Sequence, residues 1–430
     1  MDHFIYRNGQ LYAEDVAIDD LAAEVGTPAY VYSRATFEGH FDRLSTAFRG
    51  VNPLVCFSIK SCANLTLLRL LLKRGAGMDV VSGGELYRAM VAGCDPKKVV
   101  YAGVGKTDAE IEQSLQAGIG WFNIESEQEF ENVAAIARRM RKRARAALRV
   151  NPDVADARTH YKTSTGQKES KFGVDYERAI RFFETYGRDE WVELPAIHLH
   201  LGSPTYSPEP YGRAIHKALQ LIKELRERGF TIKTLDIGGG YAADYESGVT
   251  PSFEDYAQAI VPLLRDFVES GGGIIMEPGR SISANSAILV TRVLYVKEGG
   301  TKTFAIVDTG MHHLIRPTLY EAFQFMWPSR VPEHLVPKQR AKGMDLSDLL
   351  TYEIVGPICE SSDYLAKARA IPRVQRGDLL CIFGSGAYGM VMASQYNSMP
   401  RPPEVLVDGS SFRVIRERET YEDLVRGETL

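Results

Sequence analysis

Long apolar runs, paired cysteines and an excess of charge of one sign are all missing from this sequence. No run approaches the roughly 18 apolar residues that a membrane-spanning helix needs, and the amino-terminal residues lack the basic start and apolar stretch of a secretory signal. The five cysteines are scattered, with no CxxC pair and no disulfide framework. A formal net charge of −4 argues against a polyanion-binding surface. We therefore expect a cytoplasmic protein with no membrane or nucleic-acid partner.

Short apolar runs alternate with helical stretches over residues 50–280. The first five runs start roughly 20 to 25 residues apart, which leaves room for a strand, a helix and two loops. The eight runs lie at 54–59, 78–81, 99–103, 121–124, 147–150, 196–201, 234–237 and 274–276. Eight such units favour a closed (β/α)8 barrel of the TIM type. The competing doubly wound sheet would favour a glycine-rich phosphate loop after the first strand, where Lys60 stands instead.

The pattern changes after about residue 285, where apolar runs are separated by Gly, Pro and Asp turns. These runs, at 288–296, 303–307, 352–355, 379–383 and 405–407, predict a carboxy-terminal antiparallel β-domain. Short strands at 4–6 and 29–32 are expected to join it. The predicted fold class is therefore α/β plus all-β, with a barrel domain at 36–284 and a β-domain built from 1–35 and 285–430.

Six arginines and lysines lie in the segment 137–147. A basic patch for an acidic partner is one interpretation. Charge runs on helices are more commonly solvated faces, so we expect a solvent-exposed helix face here.

Polar residues gather where the predicted barrel strands end, which is where barrel enzymes carry their active sites. Lys60 follows the first strand. There, partial desolvation would make its neutral amine available as a Schiff-base nucleophile, although a snorkelling surface lysine has the same local pattern. Asp79 lies in the second strand. In His198-x-His200, both side chains are expected on one side of the sixth strand, either as core histidines or, for His200, stacked on a planar cofactor. No third ligand is evident nearby, so we predict no metal.

Glycines and an EPGR motif follow the seventh and eighth predicted strands. The triplet at 238–240 would let backbone N–H groups approach a phosphate closely, although a tight turn also uses glycine. In barrels, the loops after strands seven and eight often form a phosphate site. Glu277 could pair with Arg280, or it could face a pyridine nitrogen and keep it protonated. Cys359 would by default be a small buried hydrophobe in the β-domain.

Ordered motifs over most of the chain resemble those of the diaminopimelate decarboxylases, pyridoxal-phosphate enzymes of the alanine-racemase-like fold. The motifs are CFSIKSCAN (56–64), DVVSGGE (79–85), TSTGQKESKFG (163–173), HLHLGS (198–203), LDIGGGY (235–241), EPGR (277–280), VDTGMHHLIRPTLY (307–320), GPICESSD (356–363) and GAYGMVMASQYNS (386–398). The sequence departs from the family pattern at three places: Ser-Cys stands between Lys60 and Ala63-Asn64, Pro204 stands where Gln is usual, and His312-His313 stands where small or amide residues are usual. They leave the implied cofactor residues in place.

The resemblance implies a cytoplasmic homodimer with pyridoxal 5′-phosphate and active sites shared across the interface. It implies that Lys60 and Cys359 are catalytic, with Cys359 the proton donor and its segment entering the partner's site. The implied cofactor-binding residues are Lys60, Asp79, His200, Ser203, Gly239, Gly240, Glu277, Gly279, Arg280 and Tyr388. The implied substrate-binding residues are Arg280, Arg316, Tyr320, Glu360 and Tyr388. The β-domain would thus carry substrate and dimer contacts.

The expected reaction is decarboxylation of meso-2,6-diaminopimelate to L-lysine and CO2, the last step of lysine biosynthesis. The far end of this substrate carries an ammonium and a carboxylate, and so needs an acidic and a basic partner. Arg316 with Glu360 fits that need, whereas ornithine or arginine would require only an acidic partner. A related decarboxylase acting on a carrier-bound or modified amino acid, or of the ornithine, arginine or carboxynorspermidine type, is the alternative. The polar segment 158–171 is a candidate lid.

Overall fold

The protein is described here by a computed structural model, which covers residues 2–429 except 155, 157, 161, 163–170 and 345. The chain forms two compact units. The barrel unit comprises Phe41–Ala242 and Pro251–Arg280, and the sheet unit comprises Met1–His40, Ala243–Thr250 and Ser281–Leu430. Across the residues covered, no helix is both long enough and apolar enough to cross a membrane. Most of the candidate lid lies outside the described residues.

Both units are built around β-strands, which are numbered here in chain order. They are β1 Phe4–Arg7, β2 Gln10–Ala13, β3 Val16–Ala17, β4 Ala29–Ser33, β5 Leu54–Ser58, β6 Gly77–Val80, β7 Val99–Tyr101, β8 Trp121–Ile124, β9 Ala144–Arg149, β10 Val192–His198, β11 Thr234–Asp236, β12 Gly273–Met276, β13 Ala287–Gly299, β14 Lys302–Val307, β15 Met326–Pro328, β16 Leu349–Val355, β17 Tyr364–Pro372, β18 Leu379–Ile382, β19 Glu404–Asp408 and β20 Ser411–Arg416.

The helices are also numbered in chain order, and six of those that connect barrel strands begin at a residue whose side chain caps the helix. The helices are α1 Ile18–Val25, α2 Arg34–Ala47, α3 Leu65–Leu72, α4 Gly83–Ala92, α5 Asp108–Ala117, α6 Glu127–Met140, α7 Tyr176–Tyr186, α8 Glu209–Glu227, α9 Phe253–Glu269, α10 Arg280–Ser283, α11 Arg316–Tyr320 and α12 Tyr421–Leu424. The side chain of Ser82 accepts a hydrogen bond from the Glu85 backbone N–H and so begins α4. Asn64 begins α3 in the same way through Thr66.

Eight parallel strands, β5 to β12, close into a barrel. Each pairs with its sequence neighbour, and β12 closes the ring by pairing with β5 through Ile275–Leu54 and Met276–Val55. The strands are buried on both faces, which explains their continuously apolar sequence. The predicted barrel is confirmed, and the doubly wound alternative is wrong.

The sheet unit holds two sheets. A nine-stranded sheet runs in the order β17-β16-β14-β13-β4-β19-β20, with β18 and β15 attached beside β13. Most of its pairs are antiparallel, but β14–β16 and β19–β4 are parallel. The strand predicted at 29–32 joins this sheet as expected. The strand predicted at 4–6 also lies in the sheet unit, where β1 pairs with β2 in a separate three-stranded sheet.

The basic segment 137–147 is not one helix face. Helix α6 ends at Met140, where Arg141 adopts the left-handed conformation, and β9 begins at Ala144. Arg145 therefore extends from a strand, with its guanidinium 3.8 Å from the centre of the Trp121 ring. The expectation of a helix face over this segment was wrong. The basic residues continue across the end of α6 and into β9, so the charge pattern does not show the boundary between them.

Candidate active site

Lys60 lies where the first barrel strand ends. Strand β5 stops at Ser58 and the chain turns through a single 3-10 turn, Ile59–Ser61, in which the Ser61 hydroxyl donates to the Ser58 carbonyl at 2.8 Å. The Lys60 ammonium forms an ion pair with Asp79. The Lys60 side chain is 31% exposed and that of Asp79 is 0% exposed. Lys60 is thus partly desolvated and anchored, and it is not a snorkelling surface residue.

Asp79 shares a hydrogen-bond network with the residues around Lys60. The Ser58 hydroxyl lies 2.6 Å from Asp79 Oδ2 and 2.9 Å from the Glu277 backbone carbonyl. Burial raises the pKa of Asp79 although Lys60 opposes the shift. Burial also raises the pKa of Glu85 to about 7, against the opposing charge of Lys60. Two carboxyl groups near Lys60 therefore hold protons more readily than they would in water.

Glu277 follows β12 and is buried within the barrel unit. Asn123 Nδ2, from β8, donates to Glu277 Oε1 at 3.0 Å, and His198 Nε2, at the end of β10, lies 3.3 Å from Glu277 Oε2. Burial alone would raise the pKa of Glu277, but His198 and Lys60 lower it, and the net shift is downward. Glu277 is therefore anionic at neutral pH.

Asp236 adds a third group beside His198 and Glu277. Ligand-type atoms of these three buried residues all lie within 4.8 Å of one another. The expectation that no third ligand lies near the histidines was wrong, because barrel closure brings together residues that are far apart in sequence. The prediction that the site uses no metal stays a prediction.

His200 lies beyond the end of β10, and so it is not on the same strand as His198. Its Nδ1 accepts a hydrogen bond from the Gly239 backbone N–H at 3.3 Å. Burial, reinforced by the charges of Arg149 and Lys60, lowers the pKa of His200 well below its ordinary value. The imidazole is therefore neutral and close to the glycine loop.

The glycine loop 238–240 has no room for a side chain at any of its three positions, and a Cβ on Gly238 would lie 2.2 Å from the Leu199 carbonyl oxygen. A Cβ on Gly239 would lie 2.0 Å from the Glu277 carbonyl oxygen. Gly240 has a φ of +96°, and a Cβ there would lie 2.1 Å from the Gly202 carbonyl oxygen. The loop backbone therefore packs directly against the segments that carry Glu277 and Ser203.

Arginines supply buried positive charge at these strand ends. Arg280 Nε donates to the Ser203 hydroxyl at 2.9 Å, which joins the residues after β10 and β12. Arg149, at the end of β9, pairs with the buried Glu125 at 3.1 Å and lies 4.5 Å from the Phe172 ring centre. Within the described residues, Nε and Nη2 of Arg149 are buried without a hydrogen-bond partner. Such donors suit an anionic or oxygen-bearing group.

Three of the expected residues, Arg316, Tyr320 and Tyr388, lie in the sheet unit, and two of them lie near Tyr245. Arg316 is buried, and its Nη1 donates to the Tyr245 hydroxyl at 2.6 Å. Tyr245 and Tyr388 both pack against a small cluster of alanines, Ala243, Ala284 and Ala387. Tyr320 ends α11, the helix that Arg316 begins. The structure therefore brings Arg316 and Tyr388 to the same part of this unit.

Cys359 and Glu360 lie on an exposed turn of the sheet unit. The default expectation that Cys359 is a buried hydrophobe was wrong, because its side chain is exposed. Glu360 accepts hydrogen bonds from the Ser362 hydroxyl and, at 2.7 Å, from the Tyr396 hydroxyl. These bonds lower the pKa of Glu360 and keep it anionic. Thr318, on α11, donates to the Ser362 carbonyl at 2.9 Å and so ties this turn to the Arg316 helix.

Asn123, Arg149 and Tyr245 are contributors that sequence reasoning missed. Asn123 interrupts a buried apolar strand, and Arg149 ends one, so a polar residue inside such a run was the available signal. Tyr245 follows the glycine triplet by five positions in a segment without a clear pattern. Nothing in its local sequence indicates the contact with Arg316.

This chain is similar to known proteins over almost its whole length. The family described as "Pyridoxal-dependent decarboxylase, pyridoxal binding domain" matches residues 34–284. A relative from Aquifex aeolicus named diaminopimelate decarboxylase is 43% identical over 98% of this chain and 96% of its own length.

Two solved structures are similar over both units. A diaminopimelate decarboxylase from Helicobacter pylori complexed with L-lysine has a TM-score of 0.87 and 38% identity, covering 95% of this chain and 98% of its own. One from M. jannaschii in co-complex with L-lysine has a TM-score of 0.91 and 33% identity, covering 100% and 98%.

Proposed function

Because this chain belongs to the pyridoxal-dependent decarboxylase family, we propose that it is the lyase that converts meso-2,6-diaminopimelate into L-lysine and CO2, the last step of lysine biosynthesis. Relatives named for this reaction align with almost the whole chain. Two similar structures are complexes with L-lysine, the product. The family resemblance stated from the motifs is confirmed.

The barrel residues fit pyridoxal 5′-phosphate. When bound, this cofactor supplies an electron sink for the pair released as the bond between Cα and the carboxylate breaks. Lys60 provides the amine that holds the cofactor, and Asp79 is its ion-pair partner. The neutral His200 would face the ring, and the Glu277 carboxylate would accept a hydrogen bond from the protonated pyridine nitrogen. The residues that would bind the phosphate are Gly239, Gly240, Gly279, Ser203 and Arg280, and Tyr388 would be a further cofactor contact.

The buried position of Glu277 between Asn123 and His198 is the single observation that carries this assignment. A carboxylate at the pyridine nitrogen keeps that nitrogen protonated, which a decarboxylase requires of its electron sink. Asn123 donates to one oxygen of Glu277, His198 Nε2 lies 3.3 Å from the other, and the net downward pKa shift keeps the group ionised in a buried site. A pyridinium binding there would meet a preorganised anion.

The far end of the substrate is assigned to residues of both charges. Arg280 and Arg316 bind the distal carboxylate, Glu360 binds the distal ammonium, and Tyr320 and Tyr388 complete the substrate contacts. The buried Arg316, held by Tyr245, and the anionic Glu360, held by Ser362 and Tyr396, support this division. Cys359 Sγ delivers a proton to Cα after CO2 leaves, and the exposed position of Cys359 leaves it accessible.

The active enzyme in this proposal is a cytoplasmic homodimer. Cys359 and Glu360 reach the site of the partner subunit, which fits their position on an exposed turn. All five cysteines are free thiols, as expected in a reducing compartment. The substrate is a free amino acid, and no metal, nucleic acid or membrane takes part.

The test of this function is release of L-lysine and CO2 from meso-2,6-diaminopimelate by the purified protein with pyridoxal 5′-phosphate. Lys60→Ala should abolish release, and borohydride reduction should fix the cofactor on Lys60 in peptide mapping. Lys98→Ala is the matched control, because Lys98 immediately precedes β7, at the amino-terminal end of that strand, and its ammonium donates to the Gly75 carbonyl at 3.2 Å. If Lys60→Ala released L-lysine at the same rate as the wild type, the proposal would be rejected.

A further inference from the structure

Three carboxyl groups, Asp79, Asp236 and Glu277, are buried together at the strand ends of the barrel unit. They have unequal partners. Asp79 pairs with the Lys60 ammonium, and Glu277 has the Asn123 amide and the His198 imidazole. The negative charges of Asp79 and Glu277 are therefore stabilised by these neighbours, and Asp236 is the acid without such partners.

Asp236 has a weaker set of partners than the other two. It is the last residue of β11, and its Oδ1 accepts one hydrogen bond, from the Gly238 backbone N–H at 2.9 Å. Its Oδ2 is buried with no hydrogen-bond partner in the part of the chain that the structure describes. Strand pairing places it opposite His198, so it is held beside the group that contacts Glu277.

Ionising two adjacent buried carboxyl groups costs free energy, because their like charges repel and neither is solvated by water. One of the two therefore keeps its proton, and it is the one with fewer stabilising partners. We propose that Asp236 is a positioning residue that carries a proton in the native enzyme, so that Asp236 and Glu277 form an acid–carboxylate pair in which Glu277 alone is anionic. The pair rests on the proposed function, because it prepares Glu277 for the pyridine nitrogen.

The electrostatics of the two groups agree with this division. Burial and the negative charge of Glu277 raise the pKa of Asp236 well above its ordinary value. The pKa of Glu277 shifts downward under the influence of His198 and Lys60, against the effect of burial. The same proton therefore removes a repulsive charge next to Glu277, and the Gly238 contact links the acid to the glycine loop.

A neutral acid has a neutral substitute of the same shape, which makes the proposal testable. Asp236→Asn keeps the carbonyl that faces Gly238 and supplies N–H donors in place of the acid proton. This conservative variant should retain a protonated pyridine nitrogen and most of the turnover. Asp236→Ala removes the group and should lower kcat by about 100-fold with a smaller effect on KM, since Glu277 is then misplaced.

The first measurement is an infrared difference spectrum, wild type minus Asp236→Asn, on the purified protein without added cofactor at neutral pH. A carbonyl band of a protonated carboxylic acid, lost in the variant and shifted in D2O, is expected. A carboxylate band in its place would overturn the proposal. Because this arm needs no cofactor, its failure is distinct from failure of the proposed function.

The second measurement uses the holoenzyme prepared with 15N-labelled pyridoxal 5′-phosphate. The pyridine 15N shift should report a protonated nitrogen in wild type and in Asp236→Asn, and a changed state in Asp236→Ala. A purely structural role would lower stability without moving this shift. If Asp236→Asn loses the protonated nitrogen, Asp236 acts as an anion and the proposal is wrong. Should Asp236→Ala not fold, the infrared arm and Asp236→Asn still decide.

Discussion

Glu277 keeps a negative charge inside the barrel because two neighbours stabilise it, and the predicted reaction depends on that charge. Glu277→Gln preserves the shape and contact with Asn123 but removes the anion. We expect kcat to fall by about 100-fold or more with a modest change in KM, because the interaction strengthens mainly in the transition state. Steady-state kinetics with meso-2,6-diaminopimelate measure this split.

Glu404→Gln is the matched control for that variant. Glu404 is also a buried carboxylate, but it lies in the sheet unit and pairs with Arg416 and the Tyr32 hydroxyl. Its loss should lower stability and leave kcat unchanged. Equal losses of kcat in the two variants would mean that any buried carboxylate matters for folding and that Glu277 has no special role.

Because of His312, we expect the free energy of unfolding to depend on pH. It is buried, and within the described residues neither ring nitrogen has a hydrogen-bond partner. Burial lowers the pKa of His312 to about 4, below its ordinary 6.5, so the unfolded chain binds the proton first as pH falls. Stability should therefore be full above pH 6.5 and decrease toward pH 4.

The variant His312→Asn should reduce this loss by up to roughly 3 kcal/mol, the linkage value of the pKa difference. Urea unfolding at neutral and acidic pH measures it. His216→Asn, at an exposed helix position, should leave the acid loss of stability as in wild type. An unchanged acid loss in His312→Asn would show that other groups cause it.

Lys60 and Glu277 could be predicted from sequence because each ends an apolar run and belongs to a motif. Their partners could not. Asn123 is 154 residues from Glu277, and closure of the barrel brings the two together. The burial that protonates Asp236 is likewise a three-dimensional property. Sequence spacing predicts where the strands end, but it does not predict which strand ends lie close together in the closed barrel.

The glycine loop 238–240 is the element on which phosphate binding depends. Gly239→Ala would force a Cβ within 2.0 Å of the Glu277 carbonyl oxygen, so the loop must shift. We expect a weaker affinity for pyridoxal 5′-phosphate, by about 10-fold or more, measured by absorbance titration of the apoprotein. Gly105→Ala is the control, since a Cβ there meets nothing within 4 Å. Equal affinities in the two variants would contradict a role for the loop.

Elements were predicted best where the strands are buried on both faces. All eight barrel runs correspond to strands, because continuous apolar sequence is what such burial requires. Boundaries were less predictable. The arginines of 137–147 conceal the change from α6 to β9, since arginine is compatible with both a helix surface and a strand end. The pairing of β1 with β2 in a separate small sheet was not predicted, because apolar content alone does not indicate which strands pair.

At the scale of the whole chain, the repeat of strand and helix predicted the closed barrel. Near residue 285 the pattern changes to apolar runs separated by Gly, Pro and Asp turns, and this change predicted a second, β-rich region. The mixture of parallel and antiparallel pairs in the large sheet could not be predicted, because distant strands such as β4 and β19 pair across most of the chain. The domain boundaries at 36 and 284 stay a prediction, as do the assigned roles of the site residues.

Shared active sites give a prediction for the assembled enzyme. Lys60→Ala and Cys359→Ala should each be inactive alone. Mixed after reversible dissociation, they should recover about a quarter of wild-type activity, because half of randomly paired dimers then contain one intact site of two. No recovery, with subunit exchange verified by native mass spectrometry of tagged chains, would mean that each site is built from one chain.

The measurement that tests the central claim most directly compares kcat/KM for meso-2,6-diaminopimelate, L,L-diaminopimelate, L-ornithine and L-arginine with the same holoenzyme preparation. Arg316 and Glu360 are assigned to a distal carboxylate and a distal ammonium, so the meso isomer should exceed every other substrate by about 100-fold or more. Comparable or faster turnover of ornithine or arginine would contradict the claim that this enzyme makes L-lysine from meso-2,6-diaminopimelate.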